Sequence, residues 1–232
     1  MKKWPIKQTA LTLFYGVASV ALIVVLLLTA VDFHCFQRSF YASQYRQLNT
    51  AQTIGMSQQD LDRTTEVLLD YIRGQREDLQ VQAVINGTVQ EVFNQREKDH
   101  MVDVRQLYLQ AMNVRNLAAV IVLLAAGLVL LRRSRELLRG WCTVFVRVAT
   151  VFLALIGALG FAALVDFNRF WTLFHQIFFR NDLWLLNPNT DILIMMVPES
   201  FFFSLVMRIL VTFAIAFAVC FGAAITVRRR LS

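Results

Sequence analysis

The sequence predicts an all-α polytopic membrane protein with four transmembrane helices and both termini on the cytoplasmic side. Apolar residues make up 57% of the 232 residues and charged residues only 17%, whereas soluble proteins carry roughly 25% charged residues. The mean hydropathy is +0.52. Four runs are nearly free of charge, and roughly 20 apolar residues suffice for a helix to cross about 30 Å of hydrocarbon. These runs are Gln8–Val31, Leu117–Leu131, Thr143–Val165 and Ile209–Val227.

The first run resembles a signal peptide, but its apolar core is too long and no small-residue cleavage site precedes Asp32. We therefore expect an uncleaved first transmembrane helix. The second run is short, and becomes sufficient when the preceding helix contributes its last turn. The predicted division of the chain is residues 1–33, 34–115, 116–166, 167–205 and 206–232, in which the second and fourth segments lie outside the membrane helices.

Basic residues predict the orientation. The net charge of +7 would suggest nucleic acid for a soluble protein, but here Lys and Arg flank apolar runs, where they set membrane topology instead. With four spans, all three basic clusters fall on one side, which the positive-inside rule makes cytoplasmic. Segments 34–115 and 167–205 are then extracytoplasmic, and no nucleic acid partner is expected. The clusters are Lys2, Lys3 and Lys7; Arg132, Arg133, Arg135 and Arg139; and Arg228, Arg229 and Arg230.

Segment 34–115 contains local signals for a helix and a hairpin. Ser57 followed by Asp60 is a weak capping box, and apolar residues then recur at helical spacing through residue 73. Asn86-Gly87 lies between short apolar alternations and is typical of a tight hairpin turn, because both residue types tolerate positive φ.

A second helix carries the first candidate site residues. Asn94 and Glu97 predict its start, and nothing breaks the pattern before the second apolar run. Glu97, His100 and Asp103 share one face of it. A carboxylate beside an imidazole fixes the tautomer and raises the basicity of the ring, as a general base requires. The alternative is a solvated helix face with incidental ion pairs, since Arg96, Lys98 and Arg105 are also present.

The segment 167–205 is unusually aromatic and also contains polar groups. Aromatic rings favour the membrane–water boundary, and polar groups among them are costly unless paired. We therefore expect this interfacial segment to form the floor of a site. His175 is its candidate catalytic residue, although a buried structural histidine is the alternative. Pro188 predicts the end of one piece, with Thr190 or Asp191 capping the next.

Several kinds of chemistry lack a sequence signal. Three scattered cysteines do not form a disulfide framework, and the chain has no GxSxG, HExxH or glycine-rich phosphate loop. The pair His34-Cys35 offers only two metal ligands, so a polar helix end is the simpler interpretation. If the protein is an enzyme, histidine acid–base chemistry is what remains, and no cofactor or metal is expected.

Two motifs carry a family resemblance. REKDHMVDVRQLY together with FHQIFFRNDLWLLNPNTDILIMMVPESFF resembles the bacterial lipoprotein intramolecular transacylase (Lit) family, and the four-span layout agrees over nearly the whole chain. The resemblance implies a multi-pass protein of the plasma membrane of Gram-positive bacteria. Its expected partners are membrane lipids and the N-terminus of a diacylglyceryl-modified lipoprotein.

The implied reaction moves the acyl chain on the middle glycerol carbon to the α-amine of the lipidated cysteine, giving the lyso form without an external donor. His100 and His175 match the two functional histidines of the family, and which is base and which is acid stays open. Spacing further nominates Glu97 and Asp103 to orient His100. The other supporting candidates are Arg180 and Asn181, as donors to the oxyanion or a glyceryl oxygen, and Trp184, which occupies a motif position.

Three alternatives remain at this stage. His34-Cys35 and Met195-Met196 would fit a metal-linked, for example copper-linked, transport or homeostasis protein, but the spans lack charges near their centres. A non-catalytic membrane sensor would tolerate loss of both histidines. A zinc hydrolase using all three histidines would lose activity with a chelator.

Overall fold

The computed structural model describes residues 5–231, with side chains from residue 9 onward. Lys2 and Lys3 of the first basic cluster lie outside the described residues, as does the side chain of Lys7. Over the described part, the chain forms nine helices and one hairpin. The helices are α1 Pro5–Cys35, α2 Arg38–Leu48, α3 Thr50–Ile54, α4 Gln58–Ile72, α5 Gln95–Arg132, α6 Arg135–Val165, α7 Phe167–Phe178, α8 Ile192–Met196 and α9 Glu199–Arg230; the strands are β1 Gln82–Ile85 and β2 Thr88–Glu91.

Among the described residues, four helices are long and apolar enough to cross a membrane, namely Thr9–Cys35 of α1 together with α5, α6 and α9. The predicted four-span, all-α fold is therefore confirmed. As predicted, α5 runs without a break from its polar start into the apolar run, and its 38 residues extend about 57 Å. Since this exceeds the hydrocarbon thickness, we take the span to begin within a turn of Leu117. Residues 95–111 then lie outside the membrane-spanning segment.

Two spans begin earlier than the apolar runs predict. The helix α6 begins at Arg135 rather than near Thr143, and α9 begins at Glu199 rather than near Ile209. Pro198 immediately precedes α9 and Glu199 occupies its first turn, and both residue types favour a helix N-terminus. Hydropathy locates only the apolar part of a helix, so it does not predict polar residues that extend the helix beyond the span.

The chain divides into two compact units. Unit 1 comprises residues up to Asp32, Met112–Val165 and residues from Arg208 onward. Within it, Asp32 at the end of α1 pairs with Arg115 of α5 at 2.6 Å. The helices α1 and α6 approach closely at Gly140, where an added Cβ would lie 2.9 Å from Tyr15 Cε2. A residue larger than glycine would therefore force this contact apart.

Unit 2 comprises Phe33–Ala111 and Asp166–Met207. The predicted capping of α4 is confirmed, because the Ser57 hydroxyl accepts from the Asp60 backbone N–H at 3.0 Å. The predicted hairpin is also confirmed. Its turn residues Asn86 and Gly87 have φ values of 52° and 83°, the positive φ at both positions that a tight two-residue hairpin turn requires. The helices α2 and α3 were not predicted.

The core of unit 2 is aromatic. The Phe201 ring, on the first turn of α9, is 0% exposed and lies 5.0 Å from the ring centroids of both Phe40 and Tyr41 on α2. The hydroxyls of Tyr45 and Thr65 share a hydrogen bond of 2.9 Å, which links α2 to α4. This packing fixes the start of α9 against the helices of the same unit.

Candidate active site

The start of α5 is held by a reciprocal pair of hydrogen bonds. The Asn94 backbone N–H donates to Glu97 Oε2 at 2.7 Å, and the Glu97 backbone N–H donates to Asn94 Oδ1 at 3.0 Å. This is the predicted cap, and it satisfies two backbone donors that a helix start otherwise leaves unpaired. It also fixes the first turn of α5, so His100 follows on a rigid helix.

The second carboxylate oxygen of Glu97 has a partner far along the chain. The Leu193 backbone N–H of α8 donates to Glu97 Oε1 at 2.6 Å, and the Glu97 side chain is fully buried. Burial raises the pKa of this carboxyl, although the amide hydrogen bonds from Leu193 and Asn94 oppose the shift. The expectation that Glu97 orients His100 is therefore corrected, because its oxygens serve backbone amides and tie α8 to α5.

The helix α7 positions His175. The helix is capped by Asp166, whose carboxylate accepts from the Arg169 backbone N–H at 2.9 Å. His175 Nδ1 lies 2.8 Å from the Trp171 carbonyl oxygen. A carbonyl only accepts, so Nδ1 carries the proton, and in the neutral ring Nε2 is left as an acceptor.

The two histidines predicted as catalytic lie together. The His100 and His175 ring centroids are 6.2 Å apart, and the side chains are only 7% and 8% exposed. Phe179 contacts both rings, with centroid distances of 5.2 Å to His100 and 5.5 Å to His175. Trp184 stacks on His175 at 4.9 Å. The rings therefore occupy an aromatic pocket.

This environment keeps both imidazoles neutral. Burial, followed by the nearby His175, lowers the pKa of His100 to about 4, and the Asp103 carboxylate opposes this shift. Burial also lowers the pKa of His175, against the effect of its hydrogen bond to Trp171. His100 Nδ1 is buried and has no hydrogen-bond partner among the described residues. A buried unpaired N–H is rarer than an unpaired acceptor, so the favoured tautomer of His100 carries its proton on Nε2.

Three supporting candidates line a cleft beside Phe179. The Asn181 amide donates to Asp103 Oδ2 at 2.8 Å, and Asn181 Oδ1 accepts from the Leu183 backbone N–H at 3.1 Å. Arg180 is exposed at the same cleft. The cleft has a volume of about 450 Å³ and is lined by Asp103, Gln106, Leu107, Gln110, Phe178, Phe179, Arg180 and Asn181.

Asp191 has a different role from the predicted helix cap. It occupies the position before α8, but its side chain makes no cap hydrogen bond there. Its carboxylate instead accepts from the Asn94 amide at 2.9 Å and from the Asn187 backbone N–H at 2.7 Å. Asp191 therefore ties the loop around Pro188 to the start of α5, parallel to the contact that Glu97 makes.

Sequence reasoning missed Phe179 and the Trp171 carbonyl as parts of the site. Helical spacing was a usable signal for the Trp171 carbonyl, which lies one turn before His175, but not for Phe179, which follows the end of α7 in extended backbone. The pair His34-Cys35 was the residue basis of the metal-linked alternative. Among the side chains that the structure describes, no three His, Cys, Asp or Glu residues are grouped closely enough to hold a metal ion, and this includes His34 and Cys35.

The fold and the site define a polytopic membrane protein with a buried pair of neutral histidines suited to proton transfer. The model of the family described as lipoprotein intramolecular transacylase Lit matches residues 17–202. The chain belongs to this family and is an enzyme that transfers an acyl group within lipoproteins. A comparison with curated proteins gives no match.

The fold is similar to solved structures of the membrane integral lipoprotein intramolecular transacylase Lit from Bacillus cereus. One superposes with a TM-score of 0.78 at 20% identity, over 97% of this chain and 100% of that chain. A histidine-to-arginine variant of the same protein gives 0.74 at 18% identity, over 97% and 95%. At this level of identity the likeness is one of fold, and it agrees with a multi-pass membrane protein.

Proposed function

We propose that the enzyme moves the acyl chain on the middle glycerol carbon of an S-diacylglyceryl cysteine to the α-amine of the same cysteine, with His175 as base and His100 as acid. The observation that carries these roles is the hydrogen bond from His175 Nδ1 to the Trp171 carbonyl at 2.8 Å. The product is an N-acyl, S-monoacylglyceryl lipoprotein.

His175 is suited to accept a proton. Because its Nδ1–H is committed to the Trp171 carbonyl, Nε2 of the neutral ring presents a lone pair. Stacking on Trp184 and contact with Phe179 restrict the ring further. An imidazole held in one tautomer and one orientation is the arrangement that general base catalysis needs.

His100 is suited to donate a proton. With its buried Nδ1 unprotonated, the remaining proton on Nε2 serves as a donor. Such a donor in a dry pocket stabilises negative charge on the ester oxygen and then protonates the departing glycerol oxygen. The pKa of about 4 makes the His100 cation scarce at neutral pH, so a neutral donor is consistent with its burial.

The reaction balances within one substrate molecule. The α-amine nitrogen bonds to the ester carbonyl carbon, and the bond from that carbon to the glycerol oxygen breaks. One proton leaves nitrogen for His175, which becomes an imidazolium, and one proton passes from His100 Nε2 to the glycerol oxygen. The imidazolium of His175 returns its extra proton to the His100 ring, so both rings end neutral. Because nucleophile and ester belong to one molecule, the enzyme gains chiefly by folding the substrate into an attack geometry.

The family indicates the substrate of the enzyme, and the basic clusters indicate its orientation in the membrane. A lipoprotein substrate is implied by the family, and the diacylglyceryl form and the membrane lipids around it belong to the proposal. The basic residues Arg132, Arg133, Arg135 and Arg139 between the second and third spans, and the cluster after the fourth, support cytoplasmic termini. The histidine pair then faces the extracytoplasmic side.

Mass spectrometry of a reporter lipopeptide tests the proposal. The host should make only the diacylglyceryl form. Expression of the wild-type enzyme should leave the mass of the lipopeptide unchanged while fragmentation shows one acyl chain on nitrogen. H100Q and H175Q should each lower the rate roughly 100- to 10,000-fold, the usual contribution of positioned acid–base groups.

The matched control is H34Q, the same substitution at the third histidine, which should retain activity. Full activity of H100Q or H175Q would overturn the mechanism. Loss of activity in H34Q together with inhibition by a chelator would favour a three-histidine zinc hydrolase instead. An unchanged diacylglyceryl peptide with correctly inserted protein would reject the reaction itself.

A further inference from the structure

The charge of the substrate's nucleophile poses a problem that the histidine pair does not solve. A peptide α-amine has a pKa near 8 and is largely protonated at neutral pH. The two histidines offer no counter-charge, because an imidazole ring is either neutral or positively charged. Placing an ammonium group beside them unpaired would be costly.

Asp103 is the group placed to solve it. It lies one helical turn after His100 on α5, and its charge acts on the His100 ring. Among the eight residues that line the cleft beside Phe179, it is the single carboxylate. Asn181 donates to Oδ2 at 2.8 Å, which restrains the carboxylate and leaves Oδ1 with no protein contact of comparable length among the described residues.

We propose that Asp103, held by Asn181, is the subsite that binds the α-ammonium group of the lipidated cysteine. The inference rests on the proposed function and adds a specificity determinant to it. An N-terminus that already carries an acyl group has no positive charge and would gain nothing from Asp103. The subsite therefore selects free α-amines and disfavours the N-acylated product, which aids product release.

The same carboxylate serves the reaction after binding. One proton must leave the ammonium for solvent, which reaches the open cleft, before the neutral amine attacks. As the nitrogen–carbon bond forms, positive charge returns to nitrogen until His175 removes the next proton. A carboxylate facing that nitrogen stabilises the charge in both states.

Two cations lie nearby and bear on this assignment. Arg180 lines the cleft but is exposed, so water screens its charge. Arg96 donates to the Asp182 carbonyl, which directs its guanidinium to the loop after Arg180. Neither forms an ion pair with Asp103 among the described residues, so the carboxylate remains available to a ligand cation.

Binding of non-transferable analogues tests the subsite. The probes are two S-dialkylglyceryl cysteine peptides with ether-linked chains, one with a free α-amine and one N-acetylated. The wild-type enzyme in detergent should bind the free amine about tenfold more tightly, a difference of about 1.4 kcal/mol. In D103N that preference should vanish, while affinity for the N-acetyl probe is unchanged.

The chosen variant separates charge from structure. Asn at 103 still offers an amide oxygen to Asn181, so a purely structural role would survive the change. D99N removes the same charge one turn earlier on α5, where Asp99 accepts from Gln95 at 2.7 Å, and should keep the wild-type preference. If D103N does not fold, N181A, which frees the carboxylate, should weaken the preference in the same direction.

Retained discrimination in D103N, or equal binding of both probes by the wild-type enzyme, would overturn the proposal. Because the ether probes do not react, this readout is independent of catalysis. Full activity of the histidine variants would reject the acid–base mechanism and leave the Asp103 result standing, so the two failures are distinguishable.

Discussion

The two units of the protein place their apolar side chains in opposite ways. In unit 1, Leu123 and Leu131 of α5 are 70% and 87% exposed, and Phe161 of α6 is 70% exposed. In unit 2, Phe201 and Tyr45 are 0% and 1% exposed. Unit 1 therefore needs lipid to cover its surface, as a transmembrane bundle does, whereas unit 2 also encloses an aromatic core.

The two units also differ in where their charged side chains lie. In unit 1 the Asp32–Arg115 pair joins the end of α1 to the residues of α5 just before the span that begins near Leu117, where charge is tolerated. In unit 2, Glu97 and Asp191 are buried, and each accepts hydrogen bonds from residues distant in the chain. The histidine pair lies in unit 2 beside these fixed polar groups.

The largest expected difference between the units is in the loss of stability when one phenylalanine in each unit is replaced by alanine. F201A removes a fully buried ring that packs on Phe40 and Tyr41 and should destabilise the protein by about 4 kcal/mol. F161A removes a ring that faces outward and should cost below about 1 kcal/mol. Thermal unfolding in detergent measures both. Equal losses would show that unit 1 also depends on a tight core.

The next effect concerns the buried carboxylate that joins α5 to α8. E97A leaves the Asn94 and Leu193 amides without their acceptor, at a cost of about 3 kcal/mol. The control is E91A, since Glu91 accepts from the Val81 amide and pairs with Lys98 at the surface. That variant should lose below about 1 kcal/mol. A melting temperature for E97A equal to that of E91A would contradict the role of Glu97 in joining α8 to α5.

A smaller effect depends on pH. The pKa of His100 is about 4 in the folded protein and near 6.5 when unfolded. Between these values the unfolded chain binds more protons, so stability is lost as pH falls from about 6.5 toward 4. The loss from this group reaches about 2 kcal/mol at pH 5. H100Q removes this group, so the melting temperature should fall less between pH 7 and pH 5 than it does in the wild-type protein. An unchanged slope would show that folding does not lower the pKa of His100.

Local signals explain what the sequence alone could predict. Hydropathy located four spans, and short-range patterns located the Ser57 cap, the Asn86-Gly87 turn and the Asn94–Glu97 box. Each depends on residues within a few positions of one another. The early start of α9 was missed because its first turn follows Pro198 and carries Glu199, and a polar helix end of this kind does not raise hydropathy.

The site was less predictable because its contacts are distant in sequence. Asp103 and Asn181 are 78 positions apart, and Glu97 and Leu193 are 96 apart. Helical spacing predicted that Glu97 acts on His100. In the structure, its carboxylate instead accepts a hydrogen bond from the Leu193 backbone N–H of α8. The pairing of His100 with His175 came from the family resemblance, since no spacing within one helix brings α5 and α7 together.

The smallest expected effect compares one type of helix cap in the two units. Ser57 caps α4 in unit 2 with an oxygen–nitrogen distance of 3.0 Å, and Ser134 caps α6 in unit 1 by accepting from the Leu137 N–H at 3.2 Å. S57A should cost about 1 kcal/mol, as lost caps commonly do. S134A should cost less, because lipid enforces the backbone hydrogen bonds of a spanning helix whether or not its end is capped. The melting temperatures of S57A and S134A show which variant loses more stability. S57T keeps a hydroxyl at the cap and is the conservative control. A larger loss in S134A would show that this end of unit 1 is held by local contacts and would weaken the contrast between the units.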